Sequence, residues 1–170
     1  IVGSQGTLGI ITEAVLGTEE HNPLSTVVMA MFDSLEHTQN AILELLTLSE
    51  RPCAIEMVDG NLLQEIHTLN PNQLHEVIKP PFPLVTLIVE FDNSDRKVKK
   101  AAKKADKILE EWAANVQVAT EPEQQQQFWK LRQASSTVIG HNEGMSRAVP
   151  LINDGAVMPD RFREYLEGLY

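Results

Sequence analysis

The segment LVTLIVEF, residues 84–91, is the clearest strand in the sequence and decides the fold. Successive side chains of a strand point to opposite faces of its sheet. One face of this strand carries Val85, Leu87, Val89 and Phe91. Thr86 and Glu90 lie on the other face. This alternation is typical of a strand with one covered face, so we predict an α+β fold, a mostly antiparallel sheet with helices on one face.

A long amphipathic helix follows this strand, over residues 94–113. Its apolar residues recur at steps of three and four, which places them in one stripe. The stripe comprises Val98, Ala101, Ala102, Ala105, Ile108, Leu109 and Trp112. The opposite side carries Lys97, Lys100, Lys103, Lys104 and Lys107. We interpret these lysines as a solvated face, with a docking site for an anionic partner as the alternative.

Shorter patterns complete the set of elements. We predict further strands over residues 10–16, 26–32, 54–58, 116–120 and 156–158. We predict helices over residues 34–48, 61–69 and 122–139, and from Pro159 onward. Four of the nine prolines fall between residues 70 and 83, which indicates a surface loop. The order of strands and helices also fits a parallel doubly wound fold, but the alternating strand faces favour the antiparallel arrangement.

Composition and charge narrow the range of partners. Fourteen Lys and Arg against 24 Asp and Glu give a formal net charge of −10, so we predict no nucleic-acid partner. The longest apolar run has six residues, far fewer than the roughly 20 that span a bilayer, so we predict no transmembrane segment. The single cysteine, Cys53, cannot form an internal disulfide, which favours a reducing compartment. We expect a cytoplasmic location, with peripheral association at a membrane as the alternative.

The segment GSQGTLGIIT, residues 3–12, has three glycines spaced by three residues before a predicted strand. Glycine permits positive φ and close backbone approach, so the segment can lay amide N–H groups against a flat or anionic cofactor. A plain turn explains the same spacing. The pattern differs from the dinucleotide-binding fingerprint G-x-G-x-x-G, which opens a helix. A polar loop over residues 17–23 follows, and we place a domain boundary there.

Residues 3–14 resemble the segment that closes the FAD-binding domain of FAD-linked oxidases of the vanillyl-alcohol oxidase type. This group includes glycolate oxidase and the D-lactate and D-2-hydroxyglutarate dehydrogenases. Four later stretches resemble, in order, strand and helix signatures of the family's C-terminal cap domain. They are AIEMVD at 54–59, LIVEF at 87–91, WKLR at 129–132 and NDGAVMP at 153–159.

The resemblance implies a flavoenzyme that uses FAD. It implies that residues 1–20 end the FAD-binding domain and that residues 21–170 form a ferredoxin-like, substrate-binding cap, incomplete at its C-terminal end. It also implies cofactor contacts from Gly3, Ser4, Gly6, Gly9 and Ile11. The catalytic base of the family falls outside this chain, so we predict no catalytic residue here and expect the chain alone to be inactive.

The predicted helix at residues 122–139 carries the candidate substrate contacts. Arg132 and Ser136 are four residues apart and share a face with Trp129, so a guanidinium and a hydroxyl can converge on one carboxylate. From the residues alone, a surface arginine paired with a nearby acid is the alternative. The resemblance implies the carboxylate clamp and adds Arg147, which stands where the family usually has lysine. The five histidines show no metal-ligand spacing, so we predict no metal site.

Together these features predict an FAD-dependent oxidoreductase that oxidises a small D-2-hydroxy acid of the D-lactate or glycolate type by hydride transfer to the flavin. The expected partner is that small acid, and the electron acceptor is unknown. Two alternatives stay open. One is an FAD-dependent oxidase of another alcohol, a phenol or a sugar. The other is a non-catalytic α+β module that binds a ligand or a partner protein.

Overall fold

A four-stranded antiparallel sheet organises the chain. The computed structural model describes residues 4, 6–18, 25–92, 95–140 and 156–169, without the side chains of residues 95, 96, 98 and 135–140. The strands are β1 (Thr26–Phe32), β2 (Ala54–Asp59), β3 (Val85–Phe91) and β4 (Asn115–Ala119). They lie in the order β2-β3-β1-β4, and each neighbouring pair is antiparallel. The predicted α+β class with an antiparallel sheet is confirmed.

Helices connect these strands close to the predicted positions. They are α1 (Leu35–Leu45), α2 (Gly60–Leu69), α3 (Asp95–Trp112), α4 (Pro122–Gly140) and, after a 3-10 turn at Pro159–Arg161, α5 (Phe162–Glu167). Side-chain caps define two of the starts. Ser34 Oγ accepts from the His37 amide at 3.4 Å, and Asp59 Oδ1 accepts from the Asn61 amide at 2.7 Å. Such caps satisfy amides that have no partner within the helix.

One face of the sheet is covered by α1 and α3. The face that carries Val85, Leu87, Val89 and Phe91 on β3 is buried, as the alternation predicted. Ala41 and Leu45 of α1 pack on it together with Ala101, Ala102, Ala105 and Leu109 of α3. Trp112 at the end of α3 donates from Nε1 to Glu44 Oε2 at 3.0 Å, which links the two helices.

The other face of the sheet is covered as well, by α2 and α4, so the prediction of helices on one face is wrong. Val27 and Met29 of β1 and Ile88 of β3 are fully buried on this second side. They pack with Leu63 and Ile66 of α2 and with Phe128, Leu131 and Ala134 of α4. The physical reason is that β1 is apolar on both faces and that β3 also carries an apolar residue, Ile88, on its second face. The two central strands therefore have two faces to bury.

Two predicted strands are absent from the described residues. Residues 9–18 have no regular structure, and neither have residues 156–158. A strand needs a hydrogen-bonding neighbour, and in the described part of the chain the edge strands β2 and β4 pair only with β3 and β1. Apolar alternation alone therefore misidentified these two segments.

The start of α2 lies very close to the loop before β3. The Gly60 amide donates to Leu84 O at 2.9 Å. A Cβ at Gly60 would stand 2.1 Å from the backbone oxygen of Pro83. Only a residue without a side chain fits this crossing, which fixes the loop against the face of the sheet that α2 and α4 cover.

Candidate substrate and cofactor sites

Helix α4 is fixed to the sheet at two places. Its apolar side is buried and comprises Phe128, Leu131 and Ala134. Near its start, Gln125 Oε1 accepts from Ser25 Oγ at 3.0 Å, and Gln125 Nε2 donates to Ser25 O at 2.7 Å. The same Nε2 also lies 3.3 Å from Ala119 O at the end of β4. These contacts hold the helix that carries Arg132 in a set position across the sheet.

Arg132 of α4 forms an ion pair with Glu56 of β2. The Arg132 Nε donates to Glu56 Oε2 at 2.8 Å. The side chains are 50% and 40% exposed, respectively. Pairs this exposed contribute about 0–1 kcal/mol to stability, so the main effect of the contact is to orient the guanidinium. The structure contains the alternative that the sequence left open, a surface arginine paired with an acid. A role of Arg132 in substrate binding stays a prediction.

Glu56 is a residue of this site that the sequence prediction missed. It lies on the side of β2 that faces α4, whereas its neighbours Ile55 and Met57 pack toward α1 and α3. The alternation of β2 places position 56 on the same face as the buried Val58. This alternation and the resemblance of residues 54–59 to a family signature were the signals that the sequence offered. Nothing local indicates that this face meets a helix 76 residues further along the chain.

The other two candidate substrate contacts fall at the limit of the described residues. Helix α4 continues through position 136, so the four-residue spacing between Arg132 and Ser136 is helical as predicted. The side chain of Ser136 and the whole of Arg147 lie outside the described residues. Trp129 is partly buried against the core under α4. The convergence of Arg132, Ser136 and Arg147 on one carboxylate therefore stays a prediction.

The glycine-rich segment forms a tight turn. The Thr7 amide and its Oγ1 both donate to Ser4 O, at 3.0 and 2.7 Å. Gly6 has φ +78°, a left-handed conformation that favours glycine. Gly9 has φ +156°. No described atom lies within 4 Å of a Cβ built on either glycine, so both leave bare backbone at the surface.

Apolar side chains of the same segment are exposed. Ile10 is 91% exposed and Ile11 64%. Leu8, Val15 and Leu16 are also largely exposed. Bare glycine backbone beside exposed aliphatic side chains suits contact with a flat, largely apolar ring system, so the residues present fit a flavin. Ser4 and Gly6 lie in this turn, and Gly9 and Ile11 follow it as exposed residues, whereas Gly3 lies outside the described residues.

The only cysteine is poorly suited to chemistry. Cys53 Sγ donates to Glu90 O at 3.3 Å just before β2. Partial burial, followed by the negative charges of Glu90 and Asp92, raises the pKa of the thiol to about 12. Almost none of the Cys53 side chain is therefore in the thiolate form at neutral pH. Because the thiolate is the nucleophilic form of cysteine, Cys53 is a poor nucleophile. The apolar neighbours of Cys53 in the sequence predict a buried thiol, and this is wrong, because the residue is exposed.

Within the described ranges, no group of three or more His, Cys, Asp or Glu residues is arranged to hold a metal ion. None of the helices described there is long and apolar enough to cross a bilayer.

Comparison with known families settles what kind of domain carries these residues. The family described as FAD linked oxidases, C-terminal domain, matches residues 22–170. The chain belongs to this family. Its members are FAD-linked oxidoreductases, so the family and the cofactor that the sequence predicted are confirmed. The antiparallel α+β architecture is that of the family's cap domain.

Curated relatives of this FAD-linked oxidase domain carry three related enzyme names. The chain is 25% identical over 142 residues to glycolate oxidase subunit GlcD of Escherichia coli K12, covering 81% of this chain and 27% of that protein. It is 24% identical over 133 residues to the mitochondrial D-lactate dehydrogenase [cytochrome] of Arabidopsis thaliana, covering 78% and 22%. It is 24% identical over 179 residues to D-2-hydroxyglutarate dehydrogenase of E. coli K12, covering 98% and 17%. The chain thus spans about a quarter or less of the length of these relatives.

Proposed function

We propose that this protein oxidises a D-2-hydroxy acid with FAD as the cofactor, and that residues 21–170 bind the substrate carboxylate. Glycolate, D-lactate and D-2-hydroxyglutarate, named in the three relatives, are all 2-hydroxy acids. They share a carboxylate beside the carbon that bears the hydroxyl. The observation that carries the proposal is the guanidinium of Arg132, which a partner carboxylate orients at the surface of α4.

The role of Arg132 follows from the shape of its side chain. A guanidinium is planar and donates to both oxygens of a carboxylate in a fixed geometry. Because Glu56 Oε2 accepts from Nε at 2.8 Å, rotation of the guanidinium about the end of its side chain is restrained. A substrate that binds to this group loses less freedom and is held at a set angle. Ser136, one turn along α4, and Arg147 complete the clamp in this proposal.

The cofactor side of the proposal rests on residues 1–20. FAD, when bound, supplies the two-electron acceptor for the oxidation of an alcohol to a carbonyl. In this chain, the backbone of Gly6 and Gly9 and the exposed side chain of Ile11 would contact the flavin, and Gly3 and Ser4 are the further candidate contacts. The part of the chain that binds substrate and the part that touches the cofactor are then separate, with the boundary at residue 20.

The decisive experiment replaces Arg132 in the intact protein and compares specificity constants for D-lactate, glycolate and D-2-hydroxyglutarate. Arg132→Lys keeps the charge but loses the two-pronged donor. A hydrogen bond to a charged group is worth about 1.5–3 kcal/mol, so kcat/KM should fall by about 10- to 150-fold. Arg161→Lys is the matched control, since Arg161 is also exposed and also paired with a glutamate, Glu164. We expect it to keep kcat/KM.

A second variant tests the orientation step. Glu56→Gln removes the charge that holds the Nε of Arg132 and keeps the size of the side chain. We expect KM for the acid to rise several-fold while flavin content stays the same. Unchanged kcat/KM in Arg132→Lys would contradict the clamp. Turnover of a simple secondary alcohol as fast as that of the 2-hydroxy acids would instead favour the alternative substrates, since such an alcohol offers no carboxylate.

A further inference from the structure

Helix α3 concentrates the positive charge of the chain. Six of the eight lysines of the sequence lie on this helix within 11 residues. All six are exposed, and they are Lys97, Lys99, Lys100, Lys103, Lys104 and Lys107. The remaining residues together carry a formal charge of −16, which is the net −10 less these six positive charges. The chain therefore has one basic face on an otherwise acidic body. We call these six residues the lysine face.

Among the described side chains, the lysine face has few of the ion pairs that a merely solvated charged helix usually has. Among the described residues, only Lys97 has a carboxylate within 4 Å, with its Nζ 3.1 Å from Glu50 Oε1. Six pairs of these lysines are three or four residues apart, a spacing at which like charges destabilise a helix. The helix tolerates this repulsion because its opposite side is buried in the core through Ala101, Ala105 and Leu109. The lysines therefore concentrate positive charge on a helix whose opposite side is buried, which suits binding to an anionic surface.

A shallow depression of about 200 Å³ opens beside this face. It lies between the lysines of α3 and the segment after α1. Its lining comprises Leu48, Ser49, Glu50, Lys97, Lys100, Ala101 and Lys104. Three ammonium groups and a hydroxyl border it, against a single carboxylate that Lys97 already pairs. A phosphate-sized anion suits the charge and size of this depression.

We propose that the lysine face docks on the surface of an anionic phospholipid bilayer. None of the described large apolar side chains of α3 is exposed, so none of them would insert into the acyl chains. Protein interfaces are depleted in lysine, so a protein partner suits this face less well. Basic clusters on a rigid surface are instead attracted to anionic leaflets in proportion to their number of lysines. The acidic remainder of the chain would be repelled, which sets the orientation.

The position of α3 in the fold is compatible with this docking. α3 covers one face of the sheet, whereas α4 with Arg132 covers the other. A bilayer on the lysine face would therefore leave the candidate substrate-binding surface open. The proposal does not depend on the identity of the substrate.

The test is co-sedimentation of the intact protein with vesicles. We expect binding to vesicles of phosphatidylcholine with about a third phosphatidylglycerol, no binding to phosphatidylcholine alone, and loss of binding in 0.5 M NaCl. The double variant Lys100→Gln with Lys104→Gln should weaken partitioning by about 30-fold, at about 5-fold per lysine. Lys79→Gln with Lys130→Gln removes the same charge elsewhere on the surface and should weaken partitioning much less. Because it relieves repulsion, the α3 variant should melt no lower than the parent, which shows that it is folded.

Three outcomes would overturn the proposal. The first is no binding to the anionic vesicles at 50 mM NaCl. The second is an equal loss in both double variants, which would mean that net charge and not this face controls the attraction. The third is a stronger interaction with an acidic protein, with duplex DNA or with inorganic phosphate, seen as displacement from the vesicles at matched ionic strength. That result would assign the lysine face to that partner.

Discussion

Replacing Thr86 by valine should stabilise this protein. Thr86 lies in the central strand β3 and is fully buried. Its Oγ1 has no hydrogen-bond partner among the described residues. A buried hydroxyl without a partner destabilises the native state by about 1–3 kcal/mol, and valine has nearly the same shape without the hydroxyl. For a domain of this size, 1 kcal/mol corresponds to about 2–4 °C in Tm, so Thr86→Val should raise Tm by at least about 2 °C.

Thr38→Val is the matched control, with the opposite sign. Thr38 in α1 is also fully buried, but its Oγ1 donates to Ser34 O at 2.8 Å. Losing this bond should lower stability by about 0.5–1.5 kcal/mol. Thermal melts and urea titrations of both variants measure the two shifts. A lower Tm for Thr86→Val, or the same sign for both threonines, would refute the reasoning and would indicate that the Thr86 hydroxyl has a buried partner such as water.

Three further predictions rest on single contacts. Gly60→Ala should lower the free energy of unfolding in urea titrations by about 1–3 kcal/mol, because its Cβ would stand 2.1 Å from Pro83 O. Gly168→Ala is the control and should be nearly neutral, since the nearest atoms to its Cβ are 3.5 Å away. Iodoacetamide should alkylate Cys53 slowly at pH 8, and the rate of alkylation should rise about tenfold per pH unit toward the thiol pKa of about 12. A rate that stops rising below pH 10 would contradict the raised pKa. Gly6→Ala should leave the Tm of this chain within about 2 °C, because no described atom lies within 4 Å of the new Cβ and because the strain of alanine at φ +78° is confined to the turn at Ser4–Thr7. It should nevertheless reduce FAD content in the intact protein. Normal FAD content would show that the glycine serves only the turn.

The Cys53 thiol also predicts how stability depends on pH. Its pKa is raised in the folded state, mainly by partial burial and then by Glu90 and Asp92. The folded chain therefore keeps this proton while the unfolded chain loses it. The contribution to stability is complete below the ordinary thiol pKa and is lost as the pH rises toward about 12. Cys53→Ser should flatten that decline in urea titrations between pH 8 and 10.

How much of the fold could be predicted depended on the range of the interactions. The stripe of α3 and the strand at β3 were predicted closely, since each is a periodic pattern within one segment. The predicted strand at residues 10–16 failed because alternation cannot reveal whether a pairing neighbour exists. The prediction that helices cover only one face of the sheet was also wrong. It generalised from β3 and gave too little weight to Val27 and Met29 of β1, which are buried on the opposite side.

The candidate site divides in the same way. The motifs of the sequence were sufficient to identify the FAD-linked oxidase family and to select Arg132, because residue types and helical spacing are local properties. Only the tertiary structure showed that Glu56 orients Arg132 and that α3 and α4 lie on opposite faces of the sheet. These facts follow from the strand order β2-β3-β1-β4, in which segments distant along the chain become neighbours. That order is fixed by the joint burial of both sheet faces, which is a property of the whole chain and of no single segment.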